Sequence, residues 1–419
     1  MSWDQRWLSP GVVALYVHVP FCARKCGYCD FASWATGRHD PLMRDYATAI
    51  ACQVEELAST GVLAGASTAY FGGGTPTLLG QDLPRLVAQV VRSCGGLQEV
   101  TSEANPDSLT PDLIESLREA GATRLSIGVQ STDDHELRLL GRLHDSATAK
   151  ERVRDAVASG LDVSCDLMCA IPGQTSGSWS HSLHDVISWG PSHISVYPLQ
   201  IEDRTPFAAD YGQDPSWNAE DRQADYMEEA LMLLKDAQFR RYEVSSYARR
   251  GKQCKHNLAY WTGLPYLGLG TDAAGMLTRE AYQRLQAACP QLPALPREAF
   301  RIRTRVLDGR SRLAGRRDLS QLSFRLEFLS AAQAAAEDLM LGARLTSGIG
   351  AELIAAASEV LGEGRVATQL STLMSEGLLK QCGKAYVPTK SGWLLGNELF
   401  GALWDLAEDQ RTQTMEVRP

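Results

Sequence analysis

The stretch PFCARKCGYCDF, residues 20–31, decides the fold because it places Cys22, Cys26 and Cys29 within eight residues of one another. The apolar run VALYV directly before it, at residues 13–17, is typical of a buried strand. We therefore predict that the three thiols lie on a loop that leaves the carboxyl end of a strand.

The spacing C-x3-C-x2-C allows three thiolates to bind one compact metal centre. Iron-sulfur clusters of electron-transfer proteins use four cysteines, so three ligands would leave one iron with an open position, as catalytic metal sites do. Phe31, two residues after Cys29, supplies no fourth thiolate. A zinc knuckle completed by His18 or His39 is the alternative, although zinc patterns usually bring their ligands in two pairs.

The composition of the chain is ordinary for a soluble protein. Its 419 residues suffice for two or three domains, with 44% hydrophobic and 22% charged residues. The formal net charge of -9 argues against a general nucleic-acid binder. We predict a cytoplasmic protein, because the start of the chain lacks signal-peptide features, no apolar run could span a bilayer, and the remaining cysteines are scattered.

After the cysteine loop, strand-like and helix-like patterns alternate along the chain. The predicted strands lie at residues 13–17, 68–71, 99–103, 124–129, 163–168 and 193–199. The predicted helices lie near residues 82–92, 111–119, 150–158 and 177–189. This alternation predicts an α/β fold with a parallel sheet of six βα units, two fewer than a closed barrel has.

Polar residues follow the predicted strands at their carboxyl ends, where ligands bind in such folds. They are the glycine run FGGGTPT at residues 71–77, Glu103, Gln130 and Asp166. Consecutive glycines allow a backbone to approach a ligand closely. Taken singly, each polar residue is equally consistent with a structural hydrogen bond.

The cysteine spacing, with the aromatic Tyr28 before the last cysteine, resembles the signature of the radical S-adenosylmethionine (SAM) superfamily. The resemblance implies an open partial (β/α)6 barrel and a [4Fe-4S] cluster on Cys22, Cys26 and Cys29. It also implies that the open iron chelates the methionine end of SAM, and that an electron donor reduces the cluster so that the sulfonium is cleaved.

The order of the polar residues also resembles this superfamily. The resemblance implies that the glycine run, with Gly73, Gly74 and Thr75, contacts the amino group of SAM. It implies that the other parts of SAM and the surroundings of the cluster involve Glu103, Gln130, Arg142, Asp166, Tyr16 and Tyr28.

The second half of the chain resembles the HemW family of haem chaperones, relatives of oxygen-independent coproporphyrinogen III oxidase. The resemblance rests on residues 242–248 (YEVSSYA), 254–261 (CKHNLAYW) and 266–270 (YLGLG). It implies haem binding at the H-N-x-x-Y-W element and transfer of haem to an unidentified acceptor protein, which could be membrane-associated. His256 would be an axial ligand, since imidazole commonly binds haem iron; the alternative is a packed, hydrogen-bonded histidine.

The predicted domains follow from these assignments. They are the barrel at 1–240, an extension with the haem motif at 241–285, a linker at 286–325, a winged-helix-like domain at 326–405 and a polar tail at 406–419. The linker is rich in proline and arginine. At its arginine-rich segment, residues 297–317, we expect a solvated, partly flexible face, and a patch for an acidic partner is the alternative. In the C-terminal domain we predict helices at 331–344, 350–360 and 366–376, followed by a hairpin at 381–389.

The resulting hypothesis is a haem chaperone of the HemW type, with no catalytic residue assigned. One rival is coproporphyrinogen III oxidase, whose signature has a further cysteine where this chain has Phe31, and a longer segment before the cluster. The other rival is a zinc-stabilised barrel that acts as a binding module. The chain departs from the family at residues 169–174 (CAIPGQ) and 271–274 (TDAA), near the expected substrate-side rim.

Overall fold

The structure is a computed structural model that describes residues 11–212, 218–407 and 412–419. The first eight strands of the chain are β1 (Ala14–Val19), β2 (Phe21–Cys22), β3 (Trp34–Ala35), β4 (Thr68–Gly73), β5 (Glu99–Ala104), β6 (Arg124–Gln130), β7 (Asp162–Cys169) and β8 (His193–Pro198). The later strands are β9 (Arg240–Arg241), β10 (Ser246–Ala248), β11 (Tyr266–Leu269), β12 (Ala274–Leu277), β13 (Arg301–Val306), β14 (Phe324–Leu329), β15 (Leu379–Cys382), β16 (Ala385–Pro388) and β17 (Gln413–Val417).

The helices of the first half are α1 (Pro41–Thr60), α2 (Asp82–Cys94), α3 (Pro111–Glu119), α4 (Asp134–Leu139), α5 (Ser146–Ala158), α6 (Ser176–Trp189), α7 (Pro206–Tyr211) and α8 (Glu220–Asp236). Those of the second half are α9 (Lys255–Trp261), α10 (Arg279–Ala288), α11 (Arg310–Leu313), α12 (Ala331–Ala343), α13 (Ala351–Leu361), α14 (Glu363–Ser375), α15 (Lys390–Leu394) and α16 (Gly396–Trp404). Across the described residues, no helix is both long enough and apolar enough for a membrane span.

One mixed sheet organises the first part of the chain. Its order is β17-β14-β13-β12-β11-β1-β4-β5-β6-β7-β8-β10-β9, and the six strands from β1 to β8 in this order pair in parallel. These six strands are the six predicted from the sequence, and the partial (β/α)6 barrel is confirmed. The carboxyl ends of the six strands therefore meet at one end of the barrel, as the site requires.

Helix α1 lies between the first two strands of the barrel and was not among the predicted helices. Asp40 caps its start by accepting a hydrogen bond from the Leu42 amide at 3.0 Å, and Gly61 ends it with a left-handed φ of 74°. Its buried face includes Tyr46, Ile50 and Leu57. The spacing of these residues at four and seven positions, about one and two helical turns, was the available signal.

The C-terminal domain has a hydrophobic core of its own. Buried side chains of α12, α13, α14, α16 and β15 form one cluster within residues 332–407, while the barrel cluster spans residues 12–328 together with Val417. Helices α12, α13 and α14 followed by the β15–β16 hairpin match the predicted elements within three residues.

The expected linker at 286–325 is different in the structure, because β13 and the start of β14 lie within it and belong to the main sheet. The arginines of β13 alternate with Ile302, Thr304 and Val306, which is the period of a strand with one buried face. The expected tail at 406–419 contains β17, paired with β14. Only Val417 of this edge strand is buried, which explains its polar composition.

Candidate functional site

A cavity of about 390 Å³ opens at the carboxyl ends of the barrel strands, and the cysteine loop forms part of its wall. Most of the residues predicted for the site line it together. They are Cys22, Cys26, Tyr28, Cys29, Gly73, Gly74, Thr75, Glu103, Gln130, Arg142 and Asp166. The parallel sheet thus brings residues that follow different predicted strands together in one cavity.

The cysteine loop is held against the end of β1 by main-chain hydrogen bonds. The Trp34 amide donates to the Pro20 carbonyl at 2.9 Å, and the Thr36 amide donates to the Cys22 carbonyl at 2.8 Å. His18 adds a hydrogen bond between Nε2 and the Ala32 carbonyl at 2.9 Å. The loop therefore has a fixed conformation without a bridge between its thiols.

A short hydrogen-bond network joins two of the three cysteines. Thr75 Oγ1 lies 3.6 Å from Cys22 Sγ and accepts from Asn105 Nδ2 at 2.9 Å. On the other side, Arg142 Nη2 donates to Asn105 Oδ1 at 2.6 Å, and Arg142 Nη1 lies 3.7 Å from Cys26 Sγ. The ends of β4 and β5 and the segment after α4 therefore support the sulfur atoms.

This network contains a buried positive charge, the Arg142 guanidinium, which fits a negatively charged group bound through thiolates. In the described parts of the chain no carboxylate forms an ion pair with Arg142, and its buried Nε has no hydrogen-bond partner. A buried cation without a counter-ion is costly. Burial raises the pKa of the Cys22 and Cys29 thiols, whereas a nearby cation or metal favours the thiolate. The residues present therefore fit an iron-sulfur cluster held by three cysteines.

The geometry disfavours His18 as the ligand that would complete the alternative zinc knuckle. Both ring nitrogens of His18 are already hydrogen-bonded, Nδ1 with the Tyr16 hydroxyl at 3.0 Å and Nε2 with the Ala32 carbonyl. His18 would have to give up one of these bonds to become a zinc ligand.

The glycine run brings β4 close to β1 and the cysteine loop. Gly73 has a φ of 107°, and a Cβ there would lie 2.3 Å from a ring atom of His18. A Cβ on Gly74 would lie 2.8 Å from the Val19 carbonyl oxygen, to which the Gly74 amide donates. Gly73 is therefore required for its backbone conformation and for packing, and Gly74 for packing, whatever ligand binds beside them.

Two carboxylates on the cavity wall have unusual proton affinities. Glu103 accepts hydrogen bonds from the Tyr70 hydroxyl at 2.9 Å and the Gly73 amide at 3.0 Å, and burial raises its pKa to about 7. Asp166 accepts from Ser126 Oγ at 3.1 Å, and burial raises its pKa to about 6. Both groups therefore titrate near neutral pH, where binding of a cationic ligand would favour the ionised forms.

Tyr16 and His256 are the two predicted site residues that do not line this cavity. Tyr16 lies behind the wall and stacks on Tyr70, with ring centroids 6.2 Å apart. His256 is 1% exposed, and both of its ring nitrogens are hydrogen-bonded, Nδ1 with Thr68 Oγ1 at 2.9 Å and Nε2 with the Tyr260 hydroxyl at 2.8 Å. Burial lowers its pKa to about 3.

Comparison with known proteins agrees with this architecture. The Radical SAM superfamily profile matches residues 16–186, and the HemN C-terminal domain profile matches residues 329–395. Heme chaperone HemW of Bacillus subtilis is 30% identical over 397 residues, which cover 92% of this chain and 98% of that protein. The chain belongs to the HemW family.

Other comparisons extend the family assignment. Heme chaperone HemW of Escherichia coli is 35% identical over 270 residues, covering 64% of this chain and 70% of the relative. A solved structure of coproporphyrinogen III oxidase (HemN) from Escherichia coli matches with a TM-score of 0.74 at 20% identity, covering 95% of this chain and 92% of that one. At that identity the likeness shows that this HemW-family chain shares the fold.

Two residues that connect the site were not predicted from the sequence. Asn105 joins Thr75 to Arg142, and its only signal was a position two residues after Glu103 at a strand end. Tyr70 donates to Glu103 from inside the predicted strand 68–71, where an aromatic residue indicates core packing. Neither role can be inferred without knowing which strands are neighbours.

Proposed function

We propose that this chain is a haem chaperone of the HemW type that binds a [4Fe-4S] cluster, SAM and haem, and passes haem to an acceptor protein. The observation that carries the proposal is the network of Thr75, Asn105 and Arg142 around Cys22 and Cys26, beside a cavity with buried carboxylates. This arrangement supports a cluster with an adjacent ligand, in a chain of the HemW family.

The residues of the chain have distinct tasks in this proposal. Cys22, Cys26 and Cys29 hold the cluster, and Arg142 compensates its negative charge. Glu103 and Asp166 face the positive and hydroxyl groups of SAM, and Gln130 and Tyr28 complete the wall. When bound, the cluster and SAM supply reductive cleavage of the sulfonium bond. Whether this cleavage turns over is separate from haem transfer, and the electron donor and the acceptor are unidentified partners.

Haem ligation by His256 is the part of the proposal that the geometry supports least. As an axial ligand, the imidazole would have to release the Tyr260 hydroxyl and become accessible from a position where it is 1% exposed. The low pKa of about 3, caused by burial, keeps the ring neutral, which is the form that binds iron. Ligation therefore requires a local opening of the segment around α9.

The experiment that tests the function is anaerobic reconstitution followed by two assays on the same preparation. We expect haem binding, seen as a Soret band that saturates with added haem, and no decarboxylation of coproporphyrinogen with SAM and a reductant. Phe31, at the position of the further cysteine in the oxidase signature, is 63% exposed and cannot ligate iron. Decarboxylation by the wild-type protein would overturn the chaperone assignment in favour of the oxidase.

We predict that SAM binding becomes tighter as pH rises from about 5.5 to 8. Glu103 and Asp166 gain negative charge as pH passes through their pKa values of about 7 and about 6. A charged carboxylate binds a cationic ligand better than a protonated one. Glu103→Gln should weaken binding by roughly 10- to 100-fold at pH 8, the equivalent of one charge-assisted hydrogen bond, and should flatten the upper part of the pH profile.

Calorimetry of the reconstituted protein across this pH range measures both effects. Glu119→Gln is the matched control, because Glu119 is exposed on α3 away from the cavity. The control should reproduce the wild-type profile. Equal affinities of wild-type protein and the Glu103 variant at every pH would assign Glu103 a purely structural role.

A further inference from the structure

A continuous column of aromatic rings runs through the barrel from α9 to the cysteine loop. The successive ring centroids are 4.8 Å apart for Tyr260 and His256, 5.0 Å for His256 and Tyr70, 6.2 Å for Tyr70 and Tyr16, and 5.9 Å for Tyr16 and His18. His18 then bonds the Ala32 carbonyl of the loop. The H-N-x-x-Y-W element is therefore in ring-to-ring contact with the site.

Tyr70 is the branch point of this column. Its ring is packed between His256 and Tyr16, stacked on each with an interplanar angle of 28°. Its hydroxyl donates to Glu103 Oε1 at 2.9 Å, while the Gly73 amide binds Oε2 at 3.0 Å. Each oxygen of the Glu103 carboxylate thus accepts one hydrogen bond. The direction of the bond from the Tyr70 hydroxyl depends on the His256 and Tyr16 rings, between which Tyr70 is packed.

His256 is itself fixed at both ends. Thr68, on the same strand as Tyr70, binds Nδ1, and Tyr260, one turn further along α9, binds Nε2. The start of α9 is anchored in turn, since Glu99 on β5 accepts from the His256 amide at 2.9 Å. Because both ring nitrogens of His256 are hydrogen-bonded and the ring stacks on Tyr70, the imidazole holds the Tyr70 ring in place.

We propose that His256 and Tyr70 are positioning residues for Glu103, so that the H-N-x-x-Y-W element sets the orientation of the carboxylate that binds SAM. This inference rests on the proposed function, because it takes SAM as the ligand of Glu103. His256 acts through its ring and Tyr70 through its hydroxyl. A change in α9, such as an opening that exposes His256, then alters SAM affinity although His256 does not itself line the cavity.

The test measures SAM affinity by calorimetry between about pH 5.5 and 8.5, using full-length protein reconstituted with its cluster. Tyr70→Phe keeps the ring and removes the donor, so we expect roughly tenfold weaker binding at pH 8. The midpoint of the pH profile should also move upward, since the lost hydrogen bond lowers the pKa of Glu103. The other titratable groups that act on Glu103 or feel its charge are Asp166, Tyr16 and Tyr260, and all three remain in the variant.

Variants at His256 distinguish a role of its ring in supporting Tyr70 from a role of its nitrogens in binding haem iron. His256→Phe keeps a stacked ring and should retain SAM affinity within about threefold, whereas His256→Ala should reproduce the loss seen for Tyr70→Phe. Tyr282→Phe is the matched control. The hydroxyl of Tyr282 donates to the Pro293 carbonyl, so this change removes a hydrogen bond of a buried tyrosine that lies outside the column. The control should change neither affinity nor the pH midpoint.

The outcomes distinguish this inference from the proposed function when haem binding and iron content are measured on the same samples. Unchanged affinity and midpoint in Tyr70→Phe would overturn the positioning role while leaving haem binding intact. Equal losses of SAM affinity in His256→Phe and His256→Ala would also overturn it, because the ring would then have no role. Wild-type protein that holds the cluster but binds no SAM would refute the proposed SAM site itself, and this inference with it.

Discussion

Replacement of Cys22, Cys26 or Cys29 by alanine is expected to abolish the iron-sulfur cluster completely. Wild-type protein reconstituted anaerobically should bind about four iron atoms per chain and show a reducible cluster absorption. Two remaining thiolates cannot hold the centre, and His18 already has both ring nitrogens in hydrogen bonds. Iron content and visible absorption of each variant measure the effect.

Cys94→Ala is the matched control for these variants. Cys94 is a half-buried free cysteine at the end of α2, outside the cavity. Its replacement should leave iron content and absorption at the wild-type level. Variants of the loop that retain a full complement of iron, or wild-type protein that takes up zinc with no iron-sulfur absorption, would contradict the cluster assignment.

The barrel could be predicted from the sequence because its signals are local. Apolar runs such as those at residues 124–129 and 163–168 alternate with helical patterns, and each strand of a buried parallel sheet has this composition. The cysteine spacing and the glycine run are local as well, so most of the residues that line the cavity could be named from the sequence. Parallel pairing then explains why residues far apart in the chain share one cavity.

The connections between site residues could not be predicted, because they depend on which side chains meet across strands. Asn105 contacts Thr75 and Arg142 only because β4 and β5 are neighbours and the segment after α4 returns to them. His256 illustrates the same limit. Its sequence motif suggested a haem ligand, while its stacking on Tyr70 and its two hydrogen bonds are visible only in the fold.

For the arginine-rich segment, residues 297–317, the composition of the sequence led to a wrong prediction. Charge density suggested a solvated face, yet Arg301 is 1% exposed and binds Asp338 of α12 through two hydrogen bonds. Arg303 of the same strand binds Glu327 and Glu337. The acidic partners lie on elements that come later in the chain, so the burial of these arginines depends on a tertiary contact between the barrel sheet and the C-terminal domain.

Asp338→Ala is expected to destabilise the protein by about 3–5 kcal/mol, because it leaves the Arg301 guanidinium buried without its main counter-ion. Arg301 Nη1 lies 2.7 Å from Asp338 Oδ1 and 3.8 Å from Glu337 Oε2. The shift of the urea unfolding midpoint measures the loss. The transition that reports the C-terminal domain should shift most, since Asp338 is in α12.

Arg325→Ala is the control for this prediction, because it removes a pair of similar geometry on the surface. Arg325 and Glu416 are 2.8 Å apart and about 42% and 41% exposed, and such pairs contribute less than about 1 kcal/mol. The double variant Arg301→Met with Asp338→Leu should recover much of the stability lost in Asp338→Ala, since apolar replacement of a buried pair is often neutral. Equal shifts for Asp338→Ala and Arg325→Ala would mean that solvent reaches Arg301, and that the arginine-rich strand is held by its main-chain pairing alone.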